Sequence, residues 1–391
     1  MSLRYLSGGE SHGYCLTAII EGFWSGVHIE PGNVNDELMR RQQGYGRGNR
    51  MKIEKDKVEF LSGLRYKETM GTPISLQIKN KDFENWKEVM DPVGENKENM
   101  SNKAVKNPRP GHADLPGALK YNHGDIRNVL ERASARETAL RVAVGGVCKE
   151  LLEKLKIEIS SHVTSIGQVF VKDGDDSESQ NIFANADDSE TRCYDKQITE
   201  KMKDEIDRAK EAGESLGGTF EVIVSGLPPG LGSYVHWDRK LDGNLAGALM
   251  SIQGIKGVEI GMGFESSEMP GSKVHDEIYY DKKERSFKRK SNNAGGLEGG
   301  VTNGEPLIIR AAMKPIPTLY NPLKSVSLDT KETFSASVER SDTCAVPACS
   351  VVGESVVAWE LCRAIKEKFG QDSYEELLRS YQNYLEYLRE V

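Results

Sequence analysis

The chain has 391 residues, with 52 basic against 60 acidic side chains, a net charge of −8 and a pI near 5.6. That balance argues against a nucleic-acid binder relying on phosphate neutralisation. The polar first twenty residues argue against a secretory leader, and no apolar run approaches membrane length. The six cysteines (Cys15, Cys148, Cys193, Cys344, Cys349, Cys362) are scattered without the spacing of a zinc site, so a reduced, cytoplasmic protein is expected.

Cys15–Ile20 reads as a strand closed by the turn residues Gly22 to Gly26, and a helix is expected over Asp36–Gln43, before the basic, glycine-rich stretch Arg47 to Arg50. Lys52–Phe60 and Ile74–Ile78 read as strands, and the aperiodic polar segment Asp91–Asn107 as a loop. Ser134-Ala-Arg-Glu137 reads as a capping box, the serine oxygen taking the Glu137 N–H and the glutamate reaching back. From there Leu140, Val144, Val147, Leu151 and Leu155 keep helical spacing and predict a helix buried on one face. Its N-terminus, with Arg132 and Arg136 beside it, is expected to attract an anion. Asp173–Glu190 reads as a solvated acidic insertion, Ile198–Ala212 as a charged helix and Thr219–Ser225 as a strand. A basic run, Lys282–Lys290, leads into a glycine-rich stretch, an apolar helix follows over Val351–Phe369, and the Tyr/Leu stripe of Tyr374–Leu388 predicts a packing helix.

A duplication shows through. Gly9-Glu-Ser11, Gly13, Ile19, Gly22 and Gly26 recur in step as Gly213-Glu-Ser215, Gly217, Ile223, Gly226 and Gly230. Gly63-Leu, Thr69, Gly71 and Pro73 recur as Gly296-Leu, Thr302, Gly304 and Pro306, and Glu131-Arg132 is echoed by Glu339-Arg340. The spacing is too long for a solenoid, so two pseudo-equivalent halves are expected within one domain over 1–391, about 1–160 and 205–370, followed by a C-terminal helix over 371–391. They differ chemically: His12 of the first copy is Leu216 in the second.

His12 and His112 both lie in glycine turns that leave the ring no local cover, which suits proton transfer near neutral pH. Asp114 either orients His112 or caps the segment from Leu115. His28, His162, His236 and His275 have no such setting and read as structural. Arg40, Arg41, Arg47, Arg109, Arg132, Arg136 and Arg340 stand beside glycine turns and helix starts, where planar guanidiniums bind phosphate or carboxylate; together they suggest a substrate with several anionic groups. Neither Gly44–Gly48 nor Asn293–Gly300 is a P-loop or a dinucleotide fingerprint. Asp342 aligns with Ser134 as a second helix cap. Pro347 belongs in a helix's first turn, however, so the second helix is expected to start there and leave Asp342 in a loop facing the ligand.

GESHG, RQQGYGRG, RPGHAD, ERASARE, SNNAGG, Met313-Lys-Pro-Ile-Pro-Thr318 and RSDTCAVPA, in that order over nearly the whole chain, resemble the chorismate synthase family. The resemblance implies an α+β fold, a β-α-β sandwich of two pseudo-equivalent halves, assembled as a homotetramer. It implies conversion of 5-enolpyruvylshikimate 3-phosphate to chorismate and phosphate by 1,4-elimination with reduced FMN. By resemblance His12 is the acid near the leaving phosphate, His112 protonates the flavin, and Asp342 works with the flavin as hydrogen acceptor. Arg132, Ala133, Ser134, Gln253, Gly254, Gly299, Lys314, Pro315, Ile316, Pro317, Thr318 and Arg340 match FMN-contacting positions. Arg41 and Arg47 match positions for nicotinamide cofactor or substrate phosphate, and Arg40, Arg109 and Arg136 join that group. The alternatives are an NADPH-dependent flavin reductase or bifunctional form, with NADPH as the flavin reductant, and a flavin or phosphate carrier without catalysis. Trp24 departs from the family's usual proline.

Overall fold

The computed structural model describes residues 2–48, 55–95, 103–171, 185–339 and 341–391. Its strands are β1 Arg4–Gly8, β2 Cys15–Glu21, β3 Val58–Ser62, β4 Ile74–Lys79, β5 Glu158–Ile166, β6 Val169–Phe170, β7 Gly218–Ser225, β8 Ile255–Ile260 and β9 Leu307–Met313, besides short two-stranded hairpins. The helices that matter are α1 Pro31–Gln42, α2 Asp114–Tyr121, α3 Arg127–Ala133, α4 Thr138–Lys154, α5 Lys196–Glu211, α6 Leu241–Met250, α7 Val346–Phe369 and α8 Tyr374–Glu390.

Two antiparallel sheets result, in the orders β1-β2-β4-β3 and β8-β9-β7-β5-β6. Each alternates along its strands, burying Leu16, Ala18 and Ile20 against Ile74, Leu76 and Ile78 in the first sheet. The second buries Phe220, Val222 and Val224 against Leu307, Ile309 and Ala311. Helix α4 packs on β2 and β4, α7 packs on β5 and β7, and the two helices pack on each other, giving sheet, helices, sheet. Gly145 makes that helix contact close, since a Cβ there would stand 2.4 Å from Ser355 Cβ. Each fully buried Leu or Ile contributes on the order of 2 kcal/mol of apolar burial.

Several expectations shift. Helix α1 starts at Pro31 rather than Asp36, because Glu30 caps it and proline suits the first turn. The strand expected over Lys52–Phe60 is Val58–Ser62, residues 51–54 lying outside the described ones. Most of Asp173–Glu190 and part of Asp91–Asn107 lie outside them as well. Helix α4 is buried nearly all round, not on one face, because it sits between two layers. The capping box does not form: Ser134 Oγ accepts from Arg136 N at 3.3 Å, and a 3₁₀ turn over Ala135–Glu137 joins α3 to α4. The Glu137 carboxylate instead takes Arg141 Nε at 3.0 Å. Helix α7 does begin around Pro347, with Ala345 as an N-cap that makes no side-chain bond. Trp24, fully buried, donates to Gly370 O at the end of α7.

Candidate active site

Loops from both halves meet where α3 turns into α4. Ser11 N donates to Glu131 O, and Asn80 Nδ2 donates to Gly13 O at 2.7 Å, tying the Gly9–Gly13 loop to α3 and β4. His12, expected to stand uncovered, is 8% exposed. Its Nδ1 lies 2.9 Å from Glu131 Oε1, and its ring stacks on Trp86 at 3.9 Å between centroids. The cover comes from distant segments, which no local reading of glycines could supply.

His112 Nδ1 stands 2.5 Å from Asp114 Oδ1, while Asp114 Oδ2 accepts from Arg109 Nε at 2.8 Å. Burial pushes the Asp114 carboxyl up, but His112 and Arg109 outweigh it and hold it well below its usual range. Asp114 therefore orients the ring and makes no cap: α2 has no side-chain cap bond. Arg109 Nη1 also donates to Thr318 Oγ1 at 3.0 Å, and Lys314 Nζ donates to Gly111 O, so Lys314 to Thr318 lie against this turn. A Cβ on Gly111 (φ +79°) would meet Lys314 Nζ and Pro317 Cβ at 3.5 and 3.6 Å.

Asp56 holds two buried arginines. Arg136 Nη1 donates to its Oδ2 at 2.6 Å, Arg41 Nη1 stands 3.5 Å away, and Arg41 Nη2 donates to Ala135 O. Burial first, then repulsion from Arg136 and Arg47, pulls the Arg41 guanidinium down to about 10 despite Asp56. Arg41 Nη1, Arg136 Nη2 and Asp56 Oδ1 are buried without a hydrogen-bond partner. Guanidiniums crowded in this way are suited to an added anion. Arg41 joins Arg136 at the start of α4, its Nε donating to Thr138 Oγ1 at 2.9 Å. Asp342 Oδ1 accepts from Gly48 N at 2.6 Å, and its Oδ2 lies 2.9 Å from Arg47 Nη1. Asp342 is in a loop, as the position of Pro347 implied.

Arg132 donates to Ser7 Oγ at 2.9 Å and Gly9 O at 3.1 Å, and Ser134 Oγ donates to Ser11 Oγ at 3.1 Å. Ala133 ends α3 between them. Gln253 Nε2 donates to Glu137 Oε2 at 3.3 Å, while Gln253 Oε1 is buried without a partner beside Gly254 (φ +90°). Pro315 and Ile316 follow Lys314, and Ile316 O accepts from Ser215 Oγ at 2.6 Å. Gly299 stands in a separate hairpin turn whose Gly300 O accepts from Leu241 N. Arg40 goes elsewhere, its guanidinium donating to Glu354 at 2.8 and 2.9 Å inside the helix layer. Arg340 lies outside the described residues. Among the described residues no group of three or more candidate ligands could hold a metal ion.

Sequence reading missed Trp86, Asn80 and Asp56 and saw Glu131 only as a repeat marker. Asp56, between Lys55 and Lys57, looks solvated in isolation, and only the partnering of Glu131 and Glu339 with Arg127 (3.6 and 3.1 Å) shows what the repeated pair does.

The sequence model described as Chorismate synthase matches residues 3–365. The chain belongs to the chorismate synthase family. It is 57% identical over 389 residues to the chorismate synthase of Desulforamulus reducens, covering 100% of both chains. It is 56% identical to that of Geobacter sulfurreducens, covering 99% of each. A crystal structure of chorismate synthase superposes with a TM-score of 0.81 at 43% identity, covering 100% of this chain and 99% of that one. The α+β sandwich of two pseudo-equivalent halves is the fold of this family, whose members work with a reduced flavin.

Proposed function

We propose that the protein converts 5-enolpyruvylshikimate 3-phosphate to chorismate and phosphate at this corner, with reduced FMN as the flavin. The observation that carries the site is the pairing of each histidine with a buried carboxylate, His12 with Glu131 and His112 with Asp114, beside buried arginine nitrogens that lack partners. The residues fit a phosphorylated flavin. Gln253 Oε1 is buried without a partner next to the positive-φ Gly254, Gly111 presents bare backbone, and Lys314 and Arg132 bring positive charge. Arg132 to Ser134, Gln253, Gly254 and Lys314 to Thr318 would hold it, and Gly299 and Arg340 join them by family resemblance alone.

Reduced FMN held by these residues would supply electron density to the breaking allylic C–O bond and regain it as the ring hydrogen leaves, with no net redox change. Arg41, Arg47 and Arg136 neutralise the departing phosphate in a low-dielectric setting, where each charge–charge contact counts more than in water. His12 delivers a proton to that phosphate from Nε2. His112, with Nδ1 turned to Asp114, holds a proton at Nε2 for the flavin ring. The Asp342 carboxylate, held by Arg47 and Gly48 N, takes up the proton that leaves the ring carbon. Arg109 positions His112 and Thr318, and Arg40 supports α1.

The working form we propose is a cytoplasmic homotetramer. Leu6 and Ile19, opposite each other on the first sheet, are 74% and 49% exposed and offer an apolar patch to another copy. Among the described residues no helix is long and apolar enough to cross a membrane. NADPH serves this reading only as an outside reductant of the flavin. Anaerobic incubation with substrate and chemically reduced FMN should produce chorismate absorbance. Full turnover with oxidised FMN in air, without reductant, would sink the proposal.

A further inference from the structure

Glu131 meets both the backbone and the ring of His12. The His12 backbone N–H donates to Glu131 Oε2 at 2.7 Å, while Nδ1 lies 2.9 Å from Oε1 and 3.1 Å from Oε2. Trp86 lies against the ring, 23° from parallel, with Lys103 Nζ 3.6 Å and the Arg127 guanidinium 5.1 Å from its own centroid. Burial pushes the Glu131 carboxyl up, but His12 and then Arg127 outweigh it and hold it below its ordinary value. An ionised carboxylate only accepts, so the proton facing it sits on Nδ1, and Nε2 is the nitrogen free to exchange one.

The duplication supplies an independent comparison. The second copy has Leu216 in place of His12, and there Glu339 is paired with Arg127 at 3.1 Å. The carboxylate–imidazole pair belongs to the copy that carries the histidine.

We propose that Glu131 is a positioning residue that keeps a proton on Nδ1 of His12, Trp86 setting the plane of the ring, so that Nε2 is the nitrogen that gains a proton and, from the doubly protonated ring, delivers it to the ligand. This rests on the assignment of His12 as the acid. Glu131→Gln keeps the shape but inverts the pattern. The His12 N–H is a fixed donor and takes the amide oxygen at the Oε2 position; the NH₂ then occupies the nearer, 2.9 Å contact with Nδ1, against 3.1 Å for Oε2, which favours Nδ1 as an acceptor and the proton on Nε2. Proton delivery from Nε2 would leave Nδ1–H against an NH₂, a donor against a donor. Loss of a tautomer-setting carboxylate lowers kcat steeply in other histidine enzymes.

The test uses full-length protein with ¹⁵N-labelled histidine, the His12 signals being assigned by their loss in His12→Ala. At a pH where the ring is neutral, the wild type should show Nδ1–H and Glu131→Gln should show Nε2–H. Turnover of Glu131→Gln with chemically reduced FMN should fall about 100-fold or more in kcat, with KM little changed. A wild-type Nε2–H tautomer overturns the proposal whether or not the variant folds, and so does near-normal turnover by a folded Glu131→Gln. Near-normal turnover by His12→Ala overturns the acid assignment instead, and the nitrogen shifts still decide whether Glu131 sets the tautomer.

Discussion

The two halves share their backbone chemistry and part company in their loops. In the first, Thr69 Oγ1 accepts from Val27 N at 2.9 Å and donates to Trp24 O at 2.6 Å. In the second, Thr302 Oγ1 accepts from Leu231 N at 2.8 Å and donates to Pro228 O at 2.7 Å. Gly22 and Gly226 take φ of +83° and +79°, and a Cβ on either would strike a carbonyl of the neighbouring strand entry, Ser2 O or Lys156 O. Past these shared turns the glycine loops diverge. Ser11 N and His12 engage Glu131, whereas Leu216 N donates to Thr343 O and Ser215 Oγ to Ile316 O. One copy's loop builds proton chemistry, and the other's braces the segments around it. A scaffold held by backbone hydrogen bonds leaves loop side chains free to diverge.

The largest effect should come from the seam between the halves. Glu354 of α7, fully buried, pairs with Arg40 of α1, Lys149 of α4 and Arg192, whereas the residue in register on α4 is Gly146. Burial pushes its carboxyl up, but Lys149, Arg40 and Arg192 outweigh it and hold it below the ordinary 4.5. A depressed folded value means stability that is complete above the ordinary value and is lost as pH falls below it. Glu354→Gln should cost about 3 kcal/mol at pH 7, because Arg40, Lys149 and Arg192 each lose a buried carboxylate and keep only Glu37 or Asp187, and should flatten the acid side of the stability curve. Denaturant melts between pH 3 and 7 read both; an unchanged acid limb would break the view that charge joins the halves.

Next comes the residue aligned with Ser134. Asp342→Asn keeps an acceptor for Gly48 N but gives up the charge toward Arg47, so turnover should fall about tenfold or more with little change in melting. Asp342→Ala should add about 1 kcal/mol of destabilisation through the lost Gly48 bond. Near-normal turnover in Asn would remove Asp342 from the chemistry.

The smallest effect, a difference between matched variants that should be near zero, sharpens the equivalence. Thr69→Val and Thr302→Val each leave a buried N–H without its acceptor and should each cost about 1–3 kcal/mol. Matching urea midpoints are expected; a clear difference would show that the shared geometry does not carry shared energetics.

Much of this was legible in the chain. Repeated glycines fixed turns because positive φ and close carbonyls exclude other residues at Gly22 and Gly226. Alternation marked β2, β4 and β7, and Pro347 fixed where α7 begins and so where Asp342 could not cap. The motifs located His12, His112 and the arginines, since those residue types beside bare backbone suit anion and proton chemistry. Partners were another matter. That Glu131 and Trp86 enclose His12, that Asp56 gathers Arg41 and Arg136, and that Arg40 is drawn into the core with Glu354 depends on segments far apart in the chain, up to 314 residues for Arg40 and Glu354. Local spacing encodes the period and the turns. Which buried charge meets which is decided when the two sheets close on the helices, because only then does desolvation make each ion require a partner.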